Sequence, residues 1–189
     1  MKKKLLYGFL FLLPSLSYAQ RLRETQWEKG MMDKGEKVGV WEYYAYNRAG
    51  TQLVVQKYDH TERKLLEYRP LSDVPYRAEL MPGKWTAVHL DRQPMFLGGD
   101  ARLATYTAKL NYPQAAQNKK LQGRVLISFV IDTLGQASNY QIIQSVGGGC
   151  DEEALRVCRT IPNEWLPARK NGRSVPVVYE LPFVYKLRE

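Results

Sequence analysis

The chain has 189 residues, with 28 lysines and arginines against 19 aspartates and glutamates, and a net charge of +9 at pH 7. The basic residues form no arginine-rich run and do not alternate with aromatics, which excludes the pattern typical of a nucleic-acid-binding groove. A chain of this length has room for one domain or two small ones.

Residues 1–19 have the features of a secretory signal peptide. Three lysines follow Met1, residues 5–13 are apolar, and residues 17–19 place small side chains at the two positions that a signal peptidase inspects. Cleavage after Ala19 would leave a periplasmic mature chain that begins at Gln20. The alternative is an uncleaved inner-membrane anchor, but residues 5–19 include Pro14 and are fewer than the ~20 residues of a spanning helix.

Residues 27–69 are predicted to form a small antiparallel β-meander. Aromatic-rich residues 39–46 end in a turn signal, and two further strands follow at residues 51–58 and 64–68. The glycine, tryptophan and tyrosine pattern of residues 35–44 resembles the hairpin of MORN-like repeats. Such repeats need neighbours to bury their faces, so one or two copies indicate an accessory module.

Residues 70–93 are predicted to be a linker. Prolines at positions 70, 75 and 82 and a glycine at position 83 favour an irregular chain, in which Trp85 would serve as a local packing anchor. The segment is short and mixed in composition, unlike the long proline-rich spacers that reach across a periplasm.

Residues 94–189 are predicted to form a second domain with the order helix, strand, strand, helix, strand. Asp100 is a plausible N-cap for a helix at residues 101–110, and a second helix follows Asp151. Apolar residues alternate along residues 123–131, which is the pattern of a strand. The fold class is therefore α+β.

The two cysteines, Cys150 and Cys158, lie eight positions apart on the second predicted helix. A rise of 1.5 Å per residue separates their Cα atoms by about 12 Å, beyond the ~7 Å limit for a disulfide. Both are expected to be small buried apolar residues, with intermolecular pairing as the alternative.

The order of these motifs resembles the C-terminal domain of TonB over residues 94–187. The resemblance is carried by residues 94–99 (PMFLGG), 112–116 (YPQAA), 123–132 (GRVLISFVID) with Gly135, 151–157 (DEEALRV), 165–172 (WLPARKNG) and 181–183 (LPF). It implies a three-stranded antiparallel sheet with two helices that binds an extended segment of an outer-membrane receptor by strand addition.

The chain departs from an energy-transducing TonB protein in three respects. Its leader is predicted to be cleaved, it has no histidine before His60, and the long spacer before the C-terminal domain is missing. The resemblance therefore implies binding of a TonB-dependent receptor or another envelope protein, while energy-dependent outer-membrane transport is left open. The alternative is a structural or adaptor protein of the envelope that binds lipid, cell wall or protein through its MORN-like module, or that pairs with a second copy.

No constellation of residues predicts catalysis. His60 and His89 lie in a turn and in the linker, and neither has a second histidine at metal-ligand spacing. Glycines 147–149 lack the Gly-Lys-Ser/Thr ending of a phosphate loop. The sequence also contains no nucleophile elbow and no Cys-x-x-Cys motif, so it predicts a protein that is not an enzyme and has no catalytic, metal-binding or cofactor-binding residues.

Two prolines of the final predicted strand, residues 174–187, indicate where a partner strand would bind. Pro176 and Pro182 share parity, so their missing N–H groups lie on the same edge. The residues predicted to direct main-chain groups to this open edge are Val178, Glu180, Val184 and Lys186. A partner strand is expected between the prolines, and the alternative is that they only blunt an edge against aggregation.

Overall fold

The computed structural model describes residues 20–47, 49–69 and 74–187, and the predicted signal peptide lies outside them. Within these ranges, no helix has the length and apolarity needed to cross a membrane. The elements in chain order are β1 (Arg21–Glu24), β2 (Glu28–Asp33), β3 (Glu36–Tyr46), β4 (Gln52–Asp59), β5 (Lys64–Tyr68), β6 (Tyr76–Met81), β7 (Lys84–Val88), β8 (Met95–Phe96), α1 (Gly99–Thr107), α2 (Gln114–Asn118), β9 (Gly123–Ile131), β10 (Ala137–Gln144), α3 (Cys150–Arg159), β11 (Trp165–Leu166), β12 (Ala168–Lys170), β13 (Arg173–Val175) and β14 (Val177–Tyr185).

The N-terminal sheet is an antiparallel meander in the order β1-β2-β3-β4-β5. Its sequence favours tight connections: Lys34 and Gly35, at φ 50° and 88°, form the two-residue turn between β2 and β3. The Asn47 side chain accepts hydrogen bonds from the main-chain N–H groups of Ala49 and Thr51 between β3 and β4. Local turn chemistry therefore brings each strand next to its neighbour in sequence.

Trp41 fills the centre of the N-terminal sheet and is completely buried. A Cβ at Gly30 would lie 2.3 Å from the Trp41 ring, so the neighbouring strand needs a glycine at that position. Met32, Tyr43 and Leu97 complete the buried cluster. Leu97 belongs to the loop between β8 and α1, so the N-terminal sheet depends on the C-terminal half of the chain for part of its core.

The C-terminal sheet has five strands in the order β10-β9-β14-β6-β7, whereas three were predicted. The additional strands, β6 and β7, come from the segment predicted to be an irregular linker, and that prediction is wrong for these residues. Pro82 and Gly83 form the turn between the two strands, with the Gly83 N–H donating to the Glu79 carboxylate at 2.6 Å. Ala78 of β6 is completely buried in the C-terminal core.

The main apolar core lies between one face of the C-terminal sheet and helices α1 and α3. Strand β9 contributes Val125, Ile127, Phe129 and Ile131, as its alternation predicts, and α3 contributes buried residues that include Val157. The α+β class and the antiparallel arrangement are therefore confirmed.

Three details of the predicted elements differ from the structure. Helix α1 begins at Gly99 with Gly98 as its N-cap, so Asp100 is the second helical residue and does not cap. The Asp151 carboxylate accepts the main-chain N–H groups of Val146 and Gly147 and therefore holds the loop before α3. The predicted final strand is divided at Pro176 into β13 and β14.

Cys150 and Cys158 lie at the two ends of α3, and each is buried with a free thiol. Burial raises the pKa of the Cys158 thiol to about 12, so this group stays protonated and apolar in the physiological range. Both cysteines act as small core residues in this structure.

Candidate partner-binding edge

Strand β14 pairs with β9 along its whole length, from Val177 opposite Ile131 to Tyr185 opposite Gly123. Pro182 lies opposite Leu126 and has no N–H to donate, so this pair cannot exchange two main-chain hydrogen bonds. In an antiparallel ladder the bonded pairs alternate with unbonded ones. The odd-numbered residues of β14 therefore bond to β9, and the even-numbered residues direct their main-chain groups to the opposite side.

The beginning of that opposite side is occupied by the chain itself. Val177 pairs with Ala78 of β6, and the Glu79 N–H donates to the Pro176 carbonyl at 2.9 Å. Val178, predicted to lie on an open edge, is therefore next to β6. The proposed docking position between the two prolines is wrong at this residue because a long-range pairing, absent from the local pattern, covers it.

The pairing with β6 ends before Glu180. Continuing the register from Val177 and Ala78 places Pro75 opposite Glu180, and Pro75 has no N–H to donate. Among the described residues, no strand pairs with this side of β14 beyond Val177. Glu180 and Val184 therefore lie on the part of the edge that the described strands leave open.

The open segment has a mixed chemical character. Val184 is 65% exposed, which leaves an apolar β-branched side chain in solvent next to unpaired main-chain groups. Pro182 contributes a carbonyl acceptor without a donor, which limits the number of bonds that a partner strand can form. Lys186 lies outside β14, because the strand ends at Tyr185 and the following Leu187 N–H donates to the Gln122 side chain at 3.0 Å.

A buried polar network holds the N-terminal sheet to the region that leads into α1. Gln56 of β4 donates to the Phe96 carbonyl at 3.1 Å and accepts the Gly98 N–H at 2.8 Å. Arg102 forms an ion pair with Glu164 and donates to the Leu97 carbonyl at 2.8 Å. These bonds fix the loop that carries Leu97 into the N-terminal core.

Charged and aromatic groups of the N-terminal sheet lie close to this network. Lys37 forms an ion pair with Glu28, and the Tyr43 hydroxyl is 2.7 Å from the His60 Nε2 atom. Burial, together with the charge of Lys37, lowers the pKa of His60 to about 4. His60 is therefore neutral at pH 7 and belongs to a packed polar cluster.

The described part of the chain contains no group of three or more histidine, cysteine, aspartate or glutamate residues arranged to hold a metal ion. The features that sequence reasoning missed are β6, β7 and their pairing with β14. A local signal for them was present, since the Pro82-Gly83 turn joins two short segments rich in apolar residues. Nothing local indicates that Ala78 pairs with Val177.

Residues 108–187 match the family described as Gram-negative bacterial TonB protein C-terminal. The searches of curated proteins and of solved structures each gave no match. The matched segment holds α2, β9, β10, α3 and β14, but it begins after α1 and does not include the N-terminal sheet. The MORN-like resemblance of residues 27–69 therefore stays a prediction.

The match confirms the TonB resemblance over most of the range on which it was based, and the motif at residues 94–99 lies before it. Domains of this family are non-enzymatic, lie in the cell envelope and interact with outer-membrane receptors. The similarity of this chain to the TonB C-terminal family thus extends over residues 108–187.

Proposed function

We propose that this protein works in the periplasm and binds an extended segment of an outer-membrane TonB-dependent receptor by strand addition. The observation that carries the proposal is the edge of β14 beyond the pairing with β6, which lies within the segment that matches the TonB C-terminal family. A strand placed there would bond to Glu180, Pro182 and Val184 and extend the line of β6 along β14.

The binding site is narrower than the sequence predicted. Val178 is next to β6 and Lys186 lies beyond the strand, so the incoming segment has Glu180 and Val184 as its main-chain donors. The exposed Val184 side chain adds an apolar contact to these bonds. A short stretch of few bonds favours a weak and reversible complex, because each hydrogen bond contributes little net free energy in water.

A second candidate function is a structural adaptor that holds its partner without transducing energy. The packing of Leu97 into the N-terminal core and the bonds of Gln56 support it, because they join the two sheets with no spacer between them. In that case the receptor or another envelope protein is bound at β14, and the N-terminal sheet provides a second surface for lipid, cell wall or protein.

The test is a titration of the full chain with synthetic peptides that copy the TonB-box segments of outer-membrane receptors. Val184→Pro removes one main-chain donor on the open side, and Val184→Thr keeps that donor with a side chain of similar shape. We expect the proline variant to bind at least about tenfold more weakly than the wild type and the threonine variant to bind normally. Circular dichroism of both variants checks that the fold is retained.

Two results decide against the proposal. Equal affinity in the proline variant would place the binding site elsewhere, as would amide shifts confined to another face of the protein. A third outcome, pairing with a second copy of the chain, is tested by sedimentation of the wild type and of Val184→Pro. A dimer that becomes a monomer in the proline variant would show that this edge pairs with a second copy of the chain.

A further inference from the structure

A cavity of about 620 Å³ lies at the junction between the N-terminal sheet, the C-terminal sheet and the first turn of α1. Its walls include Tyr68 of β5, Tyr76 of β6, Phe96 of β8 and Tyr179 of β14. This junction cavity has the size of sites that bind small molecules. Tyr179 falls within the segment matched by the TonB C-terminal family, and the other lining residues lie before that segment.

Arg92 lines the junction cavity together with a second arginine, Arg69. The Nη2 atom of Arg92 donates to the Pro167 carbonyl at 2.8 Å, while its Nε atom is buried without a hydrogen-bond partner. In the part of the chain that the structure describes, Nε is the one buried side-chain atom in that condition. Because Nε has no contact with solvent, a ligand in the cavity meets the other atoms of the guanidinium group, whose charge favours an anionic acceptor.

The position of Arg92 is fixed by its own main chain. Its N–H donates to the Arg169 carbonyl at 3.2 Å, and its carbonyl accepts the Arg169 N–H at 2.8 Å. Among the described residues, Arg92 forms no ion pair with a carboxylate. Arg169 lies nearby and adds positive charge, which favours an anionic acceptor at this wall.

Asp100 lines the same cavity from the first turn of α1. It does not cap the helix, and it makes no hydrogen bond or ion pair with another described residue. A ligand that carries an N–H or O–H donor therefore finds an acceptor here, while the aromatic walls accept an apolar body.

We infer that the junction cavity binds a small carboxylate-bearing ligand, with the carboxylate against the Arg92 guanidinium group and an amide N–H facing Asp100. An N-acylated amino acid or the C-terminal residue of a short peptide has this chemistry, with an apolar side chain against Tyr76 and Tyr179. The inference does not depend on strand addition at β14, because the polar binding groups, Arg92 and Asp100, lie before β8 and in α1.

The experiment uses the full chain labelled with ¹⁵N and three probes. N-acetyl-phenylalanine has the carboxylate and the amide donor, N-acetyl-phenylalanine amide lacks the carboxylate, and phenylpropionate lacks the amide. We expect saturable binding of the first probe, with shifts of the Tyr76, Phe96 and Gly99 amides. The amide probe should bind at least about tenfold more weakly, since it loses a charge-assisted hydrogen bond. Phenylpropionate separates free acids from peptide-like ligands, and it should bind between the two.

Arg92→Gln should reduce the affinity for N-acetyl-phenylalanine by about tenfold or more. Arg77→Gln, a change of an exposed arginine on β6 outside the lining of the cavity, is the matched control and should bind normally. Val184→Pro should also bind normally, which separates this site from the strand-addition site. Equal binding of the acid and amide probes by the wild type would overturn the inference, even if Arg92→Gln did not fold. No saturable binding of any probe, or full affinity in a folded Arg92→Gln variant, would overturn it as well.

Discussion

The N-terminal sheet packs around Met32, Trp41, Tyr43 and Leu97, whereas the C-terminal sheet shares an apolar core that extends from Ala78 to Tyr185. In the second region, aliphatic residues and helices cover a whole face of the sheet. In the N-terminal sheet, one tryptophan and a few polar bonds stabilise the packing instead. A small sheet buries too little apolar surface to be stable alone, so the N-terminal sheet relies on a leucine and on main-chain groups supplied by the other region.

The sequence predicts a boundary between the MORN-like module and the TonB-like domain. In the structure, the two sheets on either side of this boundary are not independent of each other. Gln56 bonds directly to both sides of the loop that inserts Leu97. The two sheets therefore should unfold as one cooperative unit, although their cores differ greatly in size. The following predictions test that view, in order of decreasing effect.

Leu97→Ala should lower the free energy of unfolding by about 2–4 kcal/mol, because it leaves a cavity in the small N-terminal core. The measurement is chemical denaturation, with hydrogen exchange followed for amides of both sheets. Leu134→Ala, at a leucine that is 79% exposed, is the matched control and should change stability by less than about 0.5 kcal/mol. Two separate transitions, with only the N-terminal one shifted, would show that the sheets unfold independently.

Gln56→Ala should lower the free energy of unfolding by about 1–3 kcal/mol, since the Phe96 carbonyl and the Gly98 N–H lose their buried partner. Gln52→Ala on the same strand is the control, because that residue is exposed and should cost less than about 0.5 kcal/mol. Thermal unfolding of both variants checks the difference. Equal effects would mean that the bonds of Gln56 do not join the two regions.

Acidification should weaken the protein through His60. Its pKa is lowered to about 4 by burial and by Lys37, so between pH 6.5 and 4 the unfolded chain binds a proton that the folded protein excludes. This contribution to stability is complete above pH 6.5 and is lost as the pH falls towards 4. We expect a loss of about 1 kcal/mol, reduced because the imidazole is only half-buried.

The measurement is denaturant unfolding between pH 7.5 and 4. Its pH dependence should have a shallower slope for His60→Asn than for the wild type. An unchanged slope in His60→Asn would assign the acid sensitivity to other groups.

The local sequence pattern was sufficient to predict those elements that depend only on their own residues. The alternation of Val125, Ile127, Phe129 and Ile131 predicted β9, and the turn residues predicted the meander order of the N-terminal strands. The hairpin of β6 and β7 was missed because its prolines and glycine resemble those of a linker. Proline and glycine interrupt regular structure in linkers and in hairpin turns alike. Only the pairing of the two strands with the C-terminal sheet distinguishes a hairpin from a linker here.

The candidate site required information that is not local. The prediction that the even-numbered residues of β14 face away from β9 rests on parity, because a proline cannot donate to the ladder. Parity could not show that β6 covers Val178, since that depends on the contact of Val177 with Ala78. The junction cavity is less predictable still, because residues of both sheets and of the segment before α1 form its walls.

Strand β14 follows all the other strands of the C-terminal sheet in the chain, yet it lies in the middle of that sheet. During synthesis, the β6–β7 and β9–β10 hairpins emerge first, and one edge of each stays unpaired until β14 is made. Until β14 arrives, those edges are free to pair with other chains. A truncated product that lacks β14 would lose the strand that connects two preformed hairpins, and not a peripheral strand. A chaperone that shields the hairpin edges would act mainly before β14 is made.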